Sequence, residues 1–187
     1  MISFREIEIG DAKTILDWRT SEHITKFMNS DIQNNLGAQV KWIEDCFKNP
    51  TYYHWIIQYG GKDVGFLNFV NWNRTKKTTS WGFYIGEEDA LGIGGMVAPY
   101  FYNFAFDILG VDKVFAEVFY NNIGIIELHL KQGYSFDAER DHVIEKNGKS
   151  ILMVCMFLEK NIFQLSKFSR FKQTLPISQW KGSPDEF

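Results

Sequence analysis

An α/β fold of the α+β kind, with a central mixed and mostly antiparallel sheet and helices on both faces, is what this 187-residue sequence predicts. Three observations point there. Period-2 apolar runs and helix-period segments follow one another in the order β-α-α-β-β-β-α-β-α-β-β. Two hairpin signals, Gly60-Gly61 and Asn147-Gly148, tie neighbouring runs into antiparallel pairs. One further run hands over to a long helix through the glycine-rich stretch Gly92-Ile93-Gly94-Gly95-Met96.

The first strand covers residues 2–9. Gly10-Asp11 ends it, and Asp11 suits the N-cap of a helix whose apolar positions Ala12, Ile15 and Leu16 share one face. A polar region from Asn29 to Asn35 leads to a second helix over residues 37–47, closed by Lys48-Asn49-Pro50. A meander follows: residues 54–59, the Gly60-Gly61 turn, residues 63–71, a polar turn over 73–77, and residues 78–86. The long helix, residues 94–109, sets Val97, Phe101, Phe104, Ala105 and Ile108 on one stripe, and Gly110 stands where a C′ glycine belongs. Residues 113–120 form a β-branched and aromatic strand. Asn121-Asn122 caps a helix that runs to Gln132 and stops at Gly133, and residues 142–145 and 150–158 make the last hairpin.

A chain of this length suits one domain with a full core, assigned to residues 1–160, followed by a C-terminal extension over 161–187 that is partly helical or frayed. The abundant Phe, Tyr and Trp chiefly fill that core. A net charge of −3 offers no basic field, which speaks against a nucleic-acid partner. Cys46 and Cys155 lie far apart among apolar residues and read as free thiols of a reducing compartment. The four histidines are scattered without ligand spacing, so no metal is expected. Arg5, Glu6 and Glu8 stand where a signal peptide needs an apolar run, and no stretch reaches the length of a membrane span. A cytoplasmic protein is the expectation.

A glycine-rich turn that opens a helix exposes unpaired backbone N–H groups and so suits a phosphate or pyrophosphate. About thirty residues further on come Asn122, Ile125, Leu128, His129, Lys131, Gly133 and Tyr134. This second set resembles the N-x-x-[A/S/I]-x-x-L-[Y/H]-x-K-x-G-[F/Y] signature of the GNAT N-acetyltransferase superfamily. Gly92-x-Gly94-Gly95 resembles that superfamily's acetyl-CoA pyrophosphate loop, and the element order matches its fold over residues 2–158. The Arg or Gln usual before the loop is Asp89 here, beside Glu87 and Glu88, so backbone amides must carry more of the binding.

The resemblance implies acetyl-CoA as co-substrate, with its acetyl group in a splay between the strands at 78–86 and 113–120. Backbone groups of Phe83, Tyr84 and Ile85 would run along the pantetheine and polarise the thioester carbonyl. Amides of Gly92, Ile93, Gly94, Gly95 and Met96 would hold the pyrophosphate, and Asn122 the pantetheine arm. His129 stands where many members have the tyrosine that protonates the departing thiolate. An imidazole, with a pKa near 6.5 unperturbed, does this if protonated or through water; otherwise His129 simply packs against the cofactor. Glu117, an acid inside an apolar strand, is either the general base or a solvated outward residue. His54 and Tyr84 are lesser relay candidates, and Tyr134 reads as core.

Trp18-Arg19 with Ile24, Met28 and then Trp42 resembles one GNAT branch. That branch holds ribosomal-protein N-terminal acetyltransferases and enzymes that acetylate UDP-linked 4-amino-4,6-dideoxy sugars on the way to pseudaminic and related nonulosonic acids. The N-terminal block, the length and the G-I-G loop look most like the sugar enzymes. A nucleotide-sugar acceptor then implies Arg19 on the diphosphate, unless it pairs with Asp17 or Glu22. Trp18, Met28, Trp72 and Trp81 would flank uracil or the sugar methyl, or fill the core. Acetylation of a protein N-terminus or another small amine, and a CoA-binding module without turnover, are the alternatives. The basic 161–187 tail reads as a flap over the active site, a homodimer contact, a weak anchor to an anionic membrane, or a helix packed on its own domain.

Overall fold

Strand β1 (Ile2–Glu6) stops three residues before the alternation does. Asp11 is the cause. Its carboxylate accepts two guanidinium bonds from Arg5, at 2.8 and 2.7 Å, and the Glu8 amide at 2.8 Å. The chain therefore folds into a 3-10 turn over Ile9–Asp11 instead of continuing straight. Asp11 does occupy the N-cap position of α1 (Ala12–Thr20), but its side chain makes no capping bond there.

The structure is a computed structural model that describes residues 1–180. After α1 come α2 (Glu22–Thr25) and α3 (Leu36–Cys46), the latter capped by Asn35 through a 3.0 Å bond to the Ala38 amide. The meander is β2 (Tyr53–Tyr59), β3 (Lys62–Asn73) and β4 (Thr78–Ile85). Next are α4 (Gly94–Asp107), β5 (Lys113–Phe119), α5 (Ile123–Lys131), the two-residue β6 (Ser135–Phe136), β7 (His142–Lys146), β8 (Lys149–Glu159) and α6 (Lys160–Leu165). One sheet of eight strands results, in the order β1-β2-β3-β4-β5-β8-β6, with β7 hydrogen-bonded to β8. Every pairing is antiparallel except β4 with β5. Positive φ angles fall at Gly60 and Gly61, at Asn147 and Gly148, and at the helix-ending Gly110 and Gly133, the places where the turn chemistry asks for them.

Strand alternation sends side chains to two cores. Trp55, Leu67, Phe69 and Trp81 face α4, α5 and the C-terminal segment, while Ile56, Phe66 and Tyr84 face α1 and α3. Gly86 lets the second layer close, because a Cβ there would lie 2.3 Å from the Trp18 ring. Pro99, inside α4, has no N–H to give the Gly95 carbonyl four residues back. The buried Gln132 fills that gap, donating from Nε2 to Gly95 O at 3.3 Å while its Oε1 accepts the Tyr102 hydroxyl at 2.9 Å.

The glycine stretch differs from the open turn expected. Glu88–Ile93 wind as a 3-10 helix straight into α4, none of Gly92, Gly94 and Gly95 has a positive φ, and the Gly94 amide is already bonded to Leu91 O. The tail also takes definite form through Trp180. It packs on the α4 face, away from α1–α3, burying Phe163, Leu175 and Trp180 in the main core. Trp55 Nε1 donates to Pro176 O at 2.6 Å and Trp180 Nε1 to Pro50 O at 3.1 Å. Residues 181–187 of the expected extension lie outside the described residues. No helix among the described residues is long and apolar enough to cross a membrane.

Candidate active site

Strands β4 and β5 pair over only three residues: Thr78↔Lys113, Thr79↔Val114 and Ser80↔Phe115. Beyond that, β4 stays with β3 as far as Gly65↔Ile85, and β5 with β8 as far as Phe119↔Met153. The two strands thus diverge into a V at the middle of the sheet. Antiparallel pairing occupies alternate backbone groups of each arm and aims the others into the gap. A cleft of about 1150 Å³ runs through it. One half is lined by Phe83 and Ile85 of β4, Gly94 and Gly95 at the start of α4, and Asn122, Leu128 and His129 of α5. A Cβ on Gly94 or Gly95 would meet only ordinary contacts, at 3.6 Å from Phe83 and Leu128, so the missing side chains leave the helix start bare toward the cleft. An extended chain ending in an anion fits this half: open strand edges for its amides, then a helix N-terminus.

The acidic residues ahead of α4 turn elsewhere. Glu87 accepts the Trp18 indole N–H at 2.8 Å, Glu88 lies 3.6 Å from His23 Nδ1, and Asp89 is exposed. Gly92 and Met96 are exposed outside the cleft lining and Ile93 is in the core, so of the five stretch residues only Gly94 and Gly95 face the cleft.

The other half of the cleft opens on the α1–α3 face, lined by Arg19, Lys26, Met28, Gln39, Asn68, Ser80, Tyr84 and Glu117. Arg19 pairs with neither Asp17, which binds Lys13 at 2.7 Å, nor Glu22. Its Nη2 donates to Ser30 O at 3.1 Å, while its Nη1 is buried with no hydrogen-bond partner. Burial pushes the guanidinium down from its ordinary value, against the pull of Tyr84 and Asp31, and it remains a cation. The Tyr84 hydroxyl is likewise buried and unpartnered, its phenol pushed up by burial. Buried donors without partners are costly, and both of these belong to residues that line the cleft.

His129 is 4 % exposed, and its Nδ1 has no partner. Its ring lies 4.6 Å from Tyr134 and 6.0 Å from Trp81, centroid to centroid. Burial lowers its pKa to about 4, with Gln132 pulling the other way, so the imidazole is neutral at pH 7. Glu117 sits at the cleft wall on the acceptor-side face, half exposed, 4.0 Å from His142 Nε2. Tyr134 is core: its hydroxyl accepts Trp81 Nε1 at 2.9 Å.

Three expected acceptor-side aromatics are elsewhere. Trp18 is buried in the α1–α3 core and absent from the lining. Trp72 packs on Trp180, at 5.1 Å. Trp81 reaches the cleft from the α4 side, stacked between Phe83 at 5.5 Å and Phe101 at 5.1 Å, below the V rather than beside an acceptor. His54 is ringed by Tyr52, Trp42 and Phe66 and lowered to about 3 by burial; it sits behind the lining residues Trp42 and Phe66 and does not reach the cleft itself. Lys26, Gln39 and Asn68 escaped the sequence reading; only Asn68, a polar residue inside an apolar strand, carried a signal.

Residues 2–135 match the acetyltransferase (GNAT) domain family. The chain is 25 % identical over 140 residues to acetyltransferase PseH of Campylobacter jejuni subsp. jejuni serotype O:2, covering 74 % of this chain and 87 % of that protein. It is 24 % identical over 143 residues to PseH of serotype O:23/36, with the same coverage. The fold superimposes on spermidine N-acetyltransferase from Vibrio cholerae in complex with CoA and spermine. The TM-score is 0.79 at 14 % identity, over 87 % of this chain and 97 % of that one. A dodecameric structure of the Vibrio cholerae enzyme gives 0.70 at 13 % identity, over 86 % and 94 %. A V-shaped strand pair, a bare helix start beside it and a match over most of the chain make this protein a member of the GNAT acetyltransferase family, an acetyl-CoA-dependent N-acetyltransferase.

Proposed function

We propose that the chain acetylates the 4-amino group of a UDP-linked 4-amino-4,6-dideoxyhexose by direct attack on the acetyl-CoA thioester. The observation that carries this is the charge of the acceptor half of the cleft. Arg19 offers an unpartnered guanidinium N–H, Lys26 adds a second cation, and Glu117 is the one carboxylate in the lining among the described residues. Such a wall suits an anionic acceptor, whose diphosphate oxygens match the guanidinium fork. A polyamine such as the spermidine of the Vibrio cholerae enzyme would need carboxylates that this wall lacks. The Campylobacter relatives are likewise acetyltransferases, and the Trp18-Arg19 block with Ile24, Met28 and Trp42 resembles the sugar-acetylating branch of the family.

Acetyl-CoA supplies an activated acyl group, and the protein supplies place and charge. Free backbone groups of Phe83, Tyr84 and Ile85 align the pantetheine and polarise the carbonyl. Asn122 holds the pantetheine arm, and the start of α4, free of side chains at Gly94 and Gly95, lets the pyrophosphate approach the helix N-terminus even though the Gly94 amide is bonded to Leu91 O. Glu117 takes the proton of the acceptor ammonium, leaving a neutral amine to attack. As the tetrahedral adduct collapses, the C–S bond breaks, neutral His129 offers an N–H to the leaving sulfur, and the thiolate takes up the proton that the attacking nitrogen sheds, through solvent.

Free-CoA release from acetyl-CoA is measured with three acceptor sets: UDP-4-amino-4,6-dideoxyhexoses, spermidine, and peptides with free N-termini. Release with the sugars alone is expected. Release with spermidine or peptides, and none with the sugars, refutes the assignment.

A further inference from the structure

The acceptor wall has a support behind it that neither the activity nor the family match assigns. Residues 26–35 form much of that wall, and most of this segment is irregular, with its own backbone carbonyls to satisfy. Lys146, more than a hundred residues further along the chain, satisfies one of them, at Met28, together with the carbonyl of Thr25 that ends α2. Its ammonium, on a side chain only 9 % exposed, donates to Thr25 O, to Met28 O at 2.7 Å and to the Asp31 carboxylate at 2.9 Å. Those three acceptors use all three of its N–H donors. Asn147 adds a 2.8 Å bond from Nδ2 to Asp31 Oδ2, and Thr25 Oγ1 donates to Asp31 Oδ1 at 2.9 Å. These bonds hold the Asp31 carboxyl well below the usual range, at about 2.

Hairpin geometry delivers these groups. Asn147 and Gly148 both have positive φ, the two-residue turn that fits strand twist, and the turn sets Lys146 opposite Lys149. Like charges facing across a strand pair repel, and Asp31 draws one of them over to the acceptor wall. On the cleft side, the same segment is held at Ser30 O by Arg19.

We propose that Lys146 is a positioning residue: the tip of the β7–β8 hairpin latches residues 25–31, fixing the acceptor wall that carries Met28 and the carbonyl partner of Arg19. This rests on the acceptor reading above only for the identity of the substrate. Without the latch the wall loses its fixed form, so acceptor affinity falls while the cofactor half, built on β4, α4 and α5, is untouched.

Hydrogen exchange and steady-state kinetics on wild type, Lys146→Ala and Lys146→Arg test it. In Lys146→Ala, amides of residues 26–31 should exchange at least about tenfold faster, with β2–β4 amides unchanged. The KM for the UDP-4-amino sugar should rise at least about tenfold, with kcat and the KM for acetyl-CoA within about twofold of wild type. Lys146→Arg, which keeps the charge pair with Asp31, should recover part of both effects. Unchanged exchange in the wall overturns the latch. So does faster exchange with an unaltered acceptor KM, or an equal loss for both substrates. A wild-type enzyme inert on every amino sugar refutes the substrate class instead, and wall exchange then decides the latch by itself.

Discussion

Replacing His129 by Phe tests how the leaving sulfur is handled. With a pKa lowered by burial to about 4, the imidazole is charged in about one molecule per thousand at pH 7, a cost of about 4 kcal/mol for making imidazolium. General acid catalysis is worth about 10²–10⁴, so that scarcity cancels most of what an imidazolium acid would contribute. A neutral N–H aimed at a developing thiolate keeps its value, about 1.5–3 kcal/mol for a bond to a charged partner. His129→Phe keeps a ring against Trp81 and Tyr134 but removes the donor. The expected loss is therefore about ten- to a hundredfold in kcat, with both KM values little changed. The informative quantity is the ratio of wild-type to variant rate across pH 6–8, followed by CoA release. A neutral donor leaves it flat, whereas an imidazolium acid makes it fall about tenfold per pH unit. A sloping ratio refutes the neutral-donor argument, and a ratio near one removes His129 from the chemistry.

Arg19→Ala should raise the acceptor KM at least about tenfold with acetyl-CoA binding unchanged, and Arg19→Lys should recover little, because an ammonium lacks the planar fork. Initial rates with each substrate varied in turn check this. Acid should destabilise the fold: His54 and His129, buried neutral with values near 3 and 4, bind protons in the unfolded chain first, so stability falls as pH drops from about 6.5 toward 4. The sum is of the order of 3 kcal/mol per histidine, and urea unfolding at pH 7 and pH 4.5 reads it; equal midpoints would contradict it. Trp180→Ala, at a site 7 % exposed and bonded to Pro50, should cost about 3–5 kcal/mol in the same assay. A loss under about 1 kcal/mol would mean the C-terminal segment is dispensable.

Local chemistry was legible in the sequence and tertiary partnership was not. Asn147-Gly148 and Gly60-Gly61 announce turns because few residues accept positive φ, and the structure has it at all four. The order of strands and helices, and the pairing of a glycine-rich helix start with the Asn122–His129 segment, carried the family. What went astray depended on distant atoms. Trp18 and Trp72 look like pocket aromatics until Glu87 and Trp180, far along the chain, claim them. The glycine stretch looks like a loop, yet the twenty residues from Glu88 to Asp107 wind as one helical ramp. Lys146 sits in an unremarkable hairpin, and nothing local says that its ammonium ends among the carbonyls of residues 25–28. The tail's apolar residues were visible, but their destination on β2 and β3 was not.

The three-residue contact between β4 and β5 also divides the sheet into two panels, β1–β4 and β5–β8, each laced by antiparallel ladders of which β3–β4 and β5–β8 pair seven residues each. The seam between panels rests on three residue pairs, and on the function proposed above it is the line that acetyl-CoA would span. Acetyl-CoA bound there would serve as a missing strand as well as a reactant, bridging edges the polypeptide leaves apart. Occupancy should stiffen the whole domain across that seam, and a saturating ligand at 100 times its Kd would add about 2.7 kcal/mol to stability. On that placement, turnover would alternate the protein between a stitched and an unstitched sheet, once for every acetyl group delivered.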